Sequence, residues 1–164
     1  MEARFYAAHL ASYNSGKLHG CWIDASSDVE EMQEKINAMM ASAPCQGEEW
    51  AIHDHEGIKF SEFTSLSNIA EIMEIVEEYD FAHLLLNEDP YYLQNVESFK
   101  DSCENFMGEY ENKGDYAQDS YDMTKIPEAI QPYINWEDMV DDWEMSGDIR
   151  VIESEGKYFI FGNH

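Results

Sequence analysis

The sequence predicts an α+β protein built as an elongated chain of three small modules. Residues 1–60 should form a three-stranded antiparallel sheet with one helix. Residues 61–104 should form a central helical module, and 105–164 a mixed sheet-and-helix module that carries dimerisation. Three observations predict this. Apolar residues recur at every second position through much of the first sixty residues, then at every third to fourth from Ser61, and both periods return after Phe106. The formal charge is −26 over 164 residues. That charge opposes a globule of about 15 Å radius of gyration through self-repulsion, which favours modules in a row.

Taken in order, Arg4–Ala11 alternates Phe5, Ala7, His9 and Ala11 against Tyr6, Ala8 and Leu10, a strand pattern. Asn14-Ser15-Gly16 marks a turn, and Leu18–Ala25 returns as a second strand. Ser27 with Glu30 forms a capping box opening a helix. Its apolar face is Val29, Met32, Ile36, Met39 and Met40, with Glu31 and Lys35 as an i,i+4 pair. Pro44 and Gly47 lie past its end, and Glu49–His55 makes the third strand, closed by Gly57.

From Ser61, Ile69, Ile72, Met73, Val76 and Tyr79 take helical spacing, with Glu71, Glu74, Glu77 and Glu78 opposite. Phe81–Asn87 is a short apolar helix. Asp89 and Pro90 open another, running through Leu93, Val96 and Phe99. Phe106–Tyr110 is a strand and Asp115–Met123 a short acidic helix. Asn135 with Asp138 caps a helix bearing Trp136, Met139, Val140 and Trp143 at i, i+3, i+4 and i+7. Ser146-Gly147 ends it, and Ile149–Glu153 and Tyr158–Phe161 form a hairpin about Glu155-Gly156.

Between Phe60 and Ile149 there are twenty-three carboxylates and three basic side chains, Lys100, Lys113 and Lys125. Tyr, Trp, Ile and Met interrupt the acids throughout, so the run can bury a core where an acidic tail could not. The carboxylates therefore decorate a folded surface. Such a surface excludes nucleic acid and anionic membrane as partners and favours a basic protein. Fields of one sign over this length are generally avoided unless they steer a partner. The expected acidic face comprises Glu62, Glu71, Glu74, Glu77, Glu78, Glu88, Glu97, Asp101, Glu109, Glu111, Asp115, Asp119, Asp122, Glu137, Asp138, Asp141, Asp142 and Glu144.

No motif anchors a chemistry. The best EF-hand register starts at Glu109 but puts Lys113 at position five and Ser120 where the bidentate Glu belongs. His53 and His55 could share one strand face as metal ligands, yet no third ligand is indicated by spacing. Cys21, Cys45 and Cys103 form no CxxC pair, and their odd number leaves no complete disulfide framework. Phosphate-binding glycine loops and catalytic elbows are missing. The expectation is a non-enzyme without catalytic residues, cofactor or metal. With no sustained apolar leader and no run near the roughly 20 apolar residues of a membrane span, a reduced, cytoplasmic protein is expected.

Five segments then acquire a common meaning: YNSGKLHGCWID (13–24), EEWAIHDHEG (48–57), FMGEYENKGDYAQD (106–119), IPEAIQPYINWEDMVDDWEMSGDI (126–149) and YFIF (158–161). In order, spacing and acidity the chain resembles the ArdA antirestriction proteins over essentially its full length, least clearly at 80–104. The resemblance implies an inhibitor of type I restriction–modification enzymes, encoded by mobile elements. It implies an elongated dimer whose carboxylates imitate the phosphates of bent B-form DNA. The family's C-terminal motif corresponds to Ser146–Glu153, beginning Ser146, Gly147, Asp148 and Ile149. Charge arithmetic is compatible: at one charge per about 1.7 Å of duplex axis, the chain's charge equals about 44 Å, or about 13 base pairs. The alternative is an acidic adaptor or chaperone for another basic, nucleic-acid-binding protein. Phe159 and Phe161, together on one strand face, are the candidate dimer seam.

Overall fold

The computed structural model describes residues 2–163. It is α+β, and its residues divide into two compact units between Lys100 and Asp101.

In the first unit, β1 (Arg4–His9) is the central strand, flanked antiparallel by β2 (Gly20–Asp24) and β3 (Trp50–Glu56). Tyr6 pairs with Trp22 on one side and Asp54 on the other, and the β1–β3 register then shifts between Tyr6 and Ala7. Phe5, Ala7 and Ile23 are buried, fixing the core face. The alternation that predicts strand as far as Ala11 is cut at His9. There α1 (Leu10–Asn14) begins, because His9 Nδ1 accepts the Ser12 N–H at 3.1 Å and caps the turn. With Nδ1 an acceptor, Nε2 carries the proton and donates to the Gly47 carbonyl at 3.3 Å. The imidazole is fully buried with its polar atoms paired.

Helix α2 (Val29–Ala41) buries Met32, Ile36 and Met39 and packs on β2. Its cap is Asp28 rather than Ser27: the Asp28 carboxylate accepts the Glu31 N–H at 3.2 Å, while Ser26 Oγ accepts from the Asp28 N–H. A carboxylate at the N-terminus also meets the positive end of the helix dipole. Helix α3 (Leu66–Glu78) is capped by Ser65 and buries Leu66, Ile69, Ala70, Ile72, Met73, Ile75 and Val76. Helix α4 (Ala82–Glu88) follows. The single helix predicted from Asp89 through Phe99 is two pieces, a 3-10 turn at Pro90–Leu93 and α5 (Val96–Glu104). The break has a tertiary cause, since Asn68 Nδ2 takes the Leu93 carbonyl at 3.0 Å, away from the helical ladder.

In the second unit, β4 (Phe106–Tyr110), β5 (Ile149–Ser154) and β6 (Lys157–Gly162) form an antiparallel sheet in the order β4-β6-β5. Ala117 of α6 (Lys113–Asp119) and Val140 of α7 (Trp136–Ser146) pack with Ile149 and Ile160, surrounded by Tyr110, Tyr116, Met139, Trp143 and Tyr158. The acidic helix expected to reach Met123 stops at Asp119, and Asp122 caps a separate 3-10 turn, accepting the Thr124 N–H at 3.0 Å.

The sequence and structure agree closely at α7. Asn135 accepts the Asp138 N–H at 3.2 Å and donates to the Asp138 carboxylate at 2.7 Å. At the other end Gly147 has φ 85°. Its N–H reaches the Glu144 carbonyl and that of Asp148 the Trp143 carbonyl, a Schellman motif. A residue with Cβ in this left-handed conformation costs about 1–2 kcal/mol. Gly147→Ala should therefore lower stability by that amount, read as a shifted urea midpoint at unchanged m-value.

The two phenylalanines expected at a subunit seam are placed unequally. Phe161 is 1% exposed, its ring centroid 5.3 Å from that of Phe106. Phe159, on the same strand face, is half-buried. Phe161 is thus a core residue, and of the two only Phe159 keeps surface to offer.

Candidate functional site

Helix α3 buries one side, so its glutamates have only the other to occupy. At about 100° per residue, Glu71, Glu74, Glu77 and Glu78 fall within an arc of about 120°, and all four are exposed. From Glu71 to Glu78 is about 10.5 Å of helix axis, or about 3.5 Å per carboxylate. A single DNA strand carries one phosphate per about 3.4 Å. Helix α7 is denser. Glu137, Asp138, Asp141, Asp142 and Glu144 spread five carboxylates over the same length, about 2.6 Å per charge, between the single-strand value and the duplex value of about 1.7 Å.

Of the eighteen predicted surface acids, all are exposed except Asp141, which is half-buried. They do not all present free charge. Lys113 Nζ donates to Asp141, and Lys157 Nζ to Glu109 at 2.6 Å. These hydrogen bonds hold both ammonium groups above their ordinary lysine values. Two others are partly spent on architecture: Glu144 accepts the Val151 N–H at 3.1 Å, and Asp122 caps its turn. Tyr110 registers its surroundings: burial first, then Asp119, Tyr116 and Asp115, push its hydroxyl above the ordinary tyrosine range.

The C-terminal motif is a structural joint. Ser146 Oγ lies 3.0 Å from both the Trp143 carbonyl and Asp148 Oδ2, one proton serving both. Asn163 Nδ2 donates to the Gly147 carbonyl at 3.2 Å, its N–H donates to that of Asp148, and Ile149 is buried. These contacts fix α7, and its acids, against the sheet.

His53 does not gather a metal set with His55; its ring lies edge-on to Tyr13 at 4.6 Å. Among the described residues no three His, Cys, Asp or Glu side chains come together to hold an ion. Cys21, Cys45 and Cys103 form no disulfide, and burial raises the Cys21 thiol above its usual value. Among the described residues no helix is long and apolar enough to cross a membrane.

A feature not singled out from sequence lies on the outer face of the first sheet. Tyr6, Tyr13, Leu18, Trp22, Ile52, His53, Asp54 and Glu62 line an open groove of about 690 Å³.

The family model described as antirestriction protein (ArdA) matches residues 5–157. The chain belongs to the ArdA antirestriction family. Membership gives it an antirestriction function and makes restriction enzymes its partners, as an inhibitor rather than a known catalyst. Comparison with curated proteins gives no match. In this ArdA protein the exposed acids of α3 and α7 form two rows of like charge. An exposed ion pair is worth about 0.2–1 kcal/mol. Glu74→Gln alone should therefore change inhibition by less than about fivefold, measured as the concentration giving half-maximal block of cleavage. A hundredfold loss with folding intact would mark a localised site instead.

Proposed function

We propose that the chain inhibits type I restriction–modification enzymes by presenting carboxylates where the enzyme expects phosphates, thereby occupying its DNA-binding groove. The observation that carries the reading is the spacing on α3, about 3.5 Å of axis per carboxylate against about 3.4 Å per phosphate in one DNA strand. The surface offers charge without base edges. Phosphate contacts position a protein on DNA while base edges specify sequence, so inhibition extends across enzymes with different target sites. A homodimer, with Phe159 at or near its seam, doubles the charge presented.

The test is competition for a purified type I enzyme between its labelled target duplex and the protein. Displacement that weakens from low to physiological salt is expected, because DNA and protein meet the same lysines and arginines. An enzyme that keeps its DNA at excess protein overturns the proposal. Salt-independent displacement overturns the electrostatic part alone. Equal affinity for unrelated basic proteins would point instead to a general acidic adaptor.

A further inference from the structure

We propose that the groove on the outer face of the first sheet binds an arginine side chain of the protein partner, between the aromatic walls of Tyr6, Trp22 and Tyr13 and the carboxylates of Asp54 and Glu62. The inference uses the proposed function only to name the protein that supplies the arginine.

The sheet register builds the site. Trp22, Tyr6 and Asp54 lie side by side across β2, β1 and β3, and the neighbouring row is Asp24, Arg4 and Glu56. These positions have the opposite parity to the buried Phe5 and Ala7 and so share the face turned from the core. The Arg4 row shows what this face does with a guanidinium. Arg4 lies over the Trp22 ring at 4.5 Å from its centroid, and its Nε and Nη2 donate to the two oxygens of Glu56 at 2.6 and 2.9 Å. Glu56 is held below the usual carboxylate range by that hydrogen bond.

The groove shares the Trp22 ring with Arg4 and adds Tyr6, Tyr13 and two carboxylates that Arg4 does not engage. Tyr6 and Trp22 meet edge to face at 5.5 Å, and Tyr13 meets His53 at 4.6 Å. Tyr13 is 51% exposed and Leu18 87% exposed. Asp54 accepts only a backbone N–H, that of His55 at 2.8 Å, and among the described residues neither Asp54 nor Glu62 has an ion-pair partner. Aromatic faces beside unpaired carboxylates complement a flat cation. A guanidinium is planar, weakly hydrated and able both to stack and to fork onto a carboxylate, whereas an ammonium is compact and strongly hydrated. The groove therefore discriminates arginine from lysine, which the carboxylate rows of α3 and α7 do not.

The test titrates the full ¹⁵N-labelled chain with a capped glycine-spaced peptide carrying two arginines, and with its lysine twin at equal ionic strength. The indole N–H signals of the four tryptophans report the result. The Trp22 signal should shift saturably, at least threefold more tightly with arginine than with lysine. Asp54→Asn and Tyr13→Leu should each weaken that shift at least threefold while leaving the other indole signals in place. An unmoved Trp22, equal response to the two peptides, or unchanged binding by both variants overturns the site. A double variant combining Asp54→Asn and Tyr13→Leu is then compared with wild type in displacing DNA from the type I enzyme, where at least a fivefold loss is expected. Arginine binding at Trp22 by a protein that displaces no DNA leaves the site standing and removes the enzyme as its source. Undiminished displacement with Trp22 unmoved leaves the enzyme reading standing and removes the site.

Discussion

Neutralising Glu71, Glu74, Glu77 and Glu78 together as glutamines should weaken binding to a type I enzyme by about 1–4 kcal/mol. Each exposed pair is worth about 0.2–1 kcal/mol, and the four act on one face against one groove. In affinity this is roughly fivefold to several hundredfold. Glutamine keeps the length and helix propensity of glutamate, so the loss reads charge rather than folding. The competing row on α7 should behave alike, with a smaller contribution from Asp141 because Lys113 already engages it. Displacement assays at two salt concentrations check both points, since the fourfold variant should lose affinity and part of its salt dependence together. A variant that inhibits like wild type would remove α3 from the contact surface.

Phe161→Asp is expected to unfold the second unit. The side chain is 1% exposed and its ring packs tilted against Phe106. Truncating a buried phenylalanine costs about 3–5 kcal/mol, and an unpaired buried carboxylate adds a further penalty. Against a typical total of about 5–15 kcal/mol, little stability would remain. Loss of dispersed NMR signals from residues 101–163 is the expected readout. Phe159→Asp, half-buried on the same strand face, should keep the fold. It should convert a dimer to a monomer in light scattering where Phe159 lies at the seam. Native stability in Phe161→Asp would show that the residue is not core.

How much of this was legible in the sequence depends on the range of the interaction concerned. The α7 cap at Asn135 and Asp138, its stop at Gly147 and the turn at Glu155-Gly156 are local chemistry, and each stands where the residues predict. The end of β1 at His9 is not local, because the imidazole that caps α1 is held by Gly47, distant in sequence. The break before α5 likewise depends on Asn68 reaching Leu93. Exposure of the four glutamates of α3 was readable from helical spacing. The pairing of Asp141 and Glu109 by Lys113 and Lys157 was not, since neither lysine is near its carboxylate in sequence. The aromatic groove needed the register of three strands and one bulge before Tyr6, Trp22 and Asp54 became neighbours. Its sequence signal was faint but present: Tyr6 and Trp22 both sit at the non-core parity of their strands.

The glutamate row on α3 also sets folding against function. Glu71 with Glu74, Glu74 with Glu77, and Glu74 with Glu78 are like charges at i,i+3 and i,i+4, each pair opposing the helix by about 0.2–0.5 kcal/mol. The helix holds because its other side is buried through Leu66, Ile69, Ile72, Met73 and Val76. Added salt relieves that repulsion and screens the attraction to a basic groove in the same step. Thermal stability should therefore climb with ionic strength while inhibition declines. The protein would be most active where it is least robust, so a formulation chosen for shelf life would understate its potency.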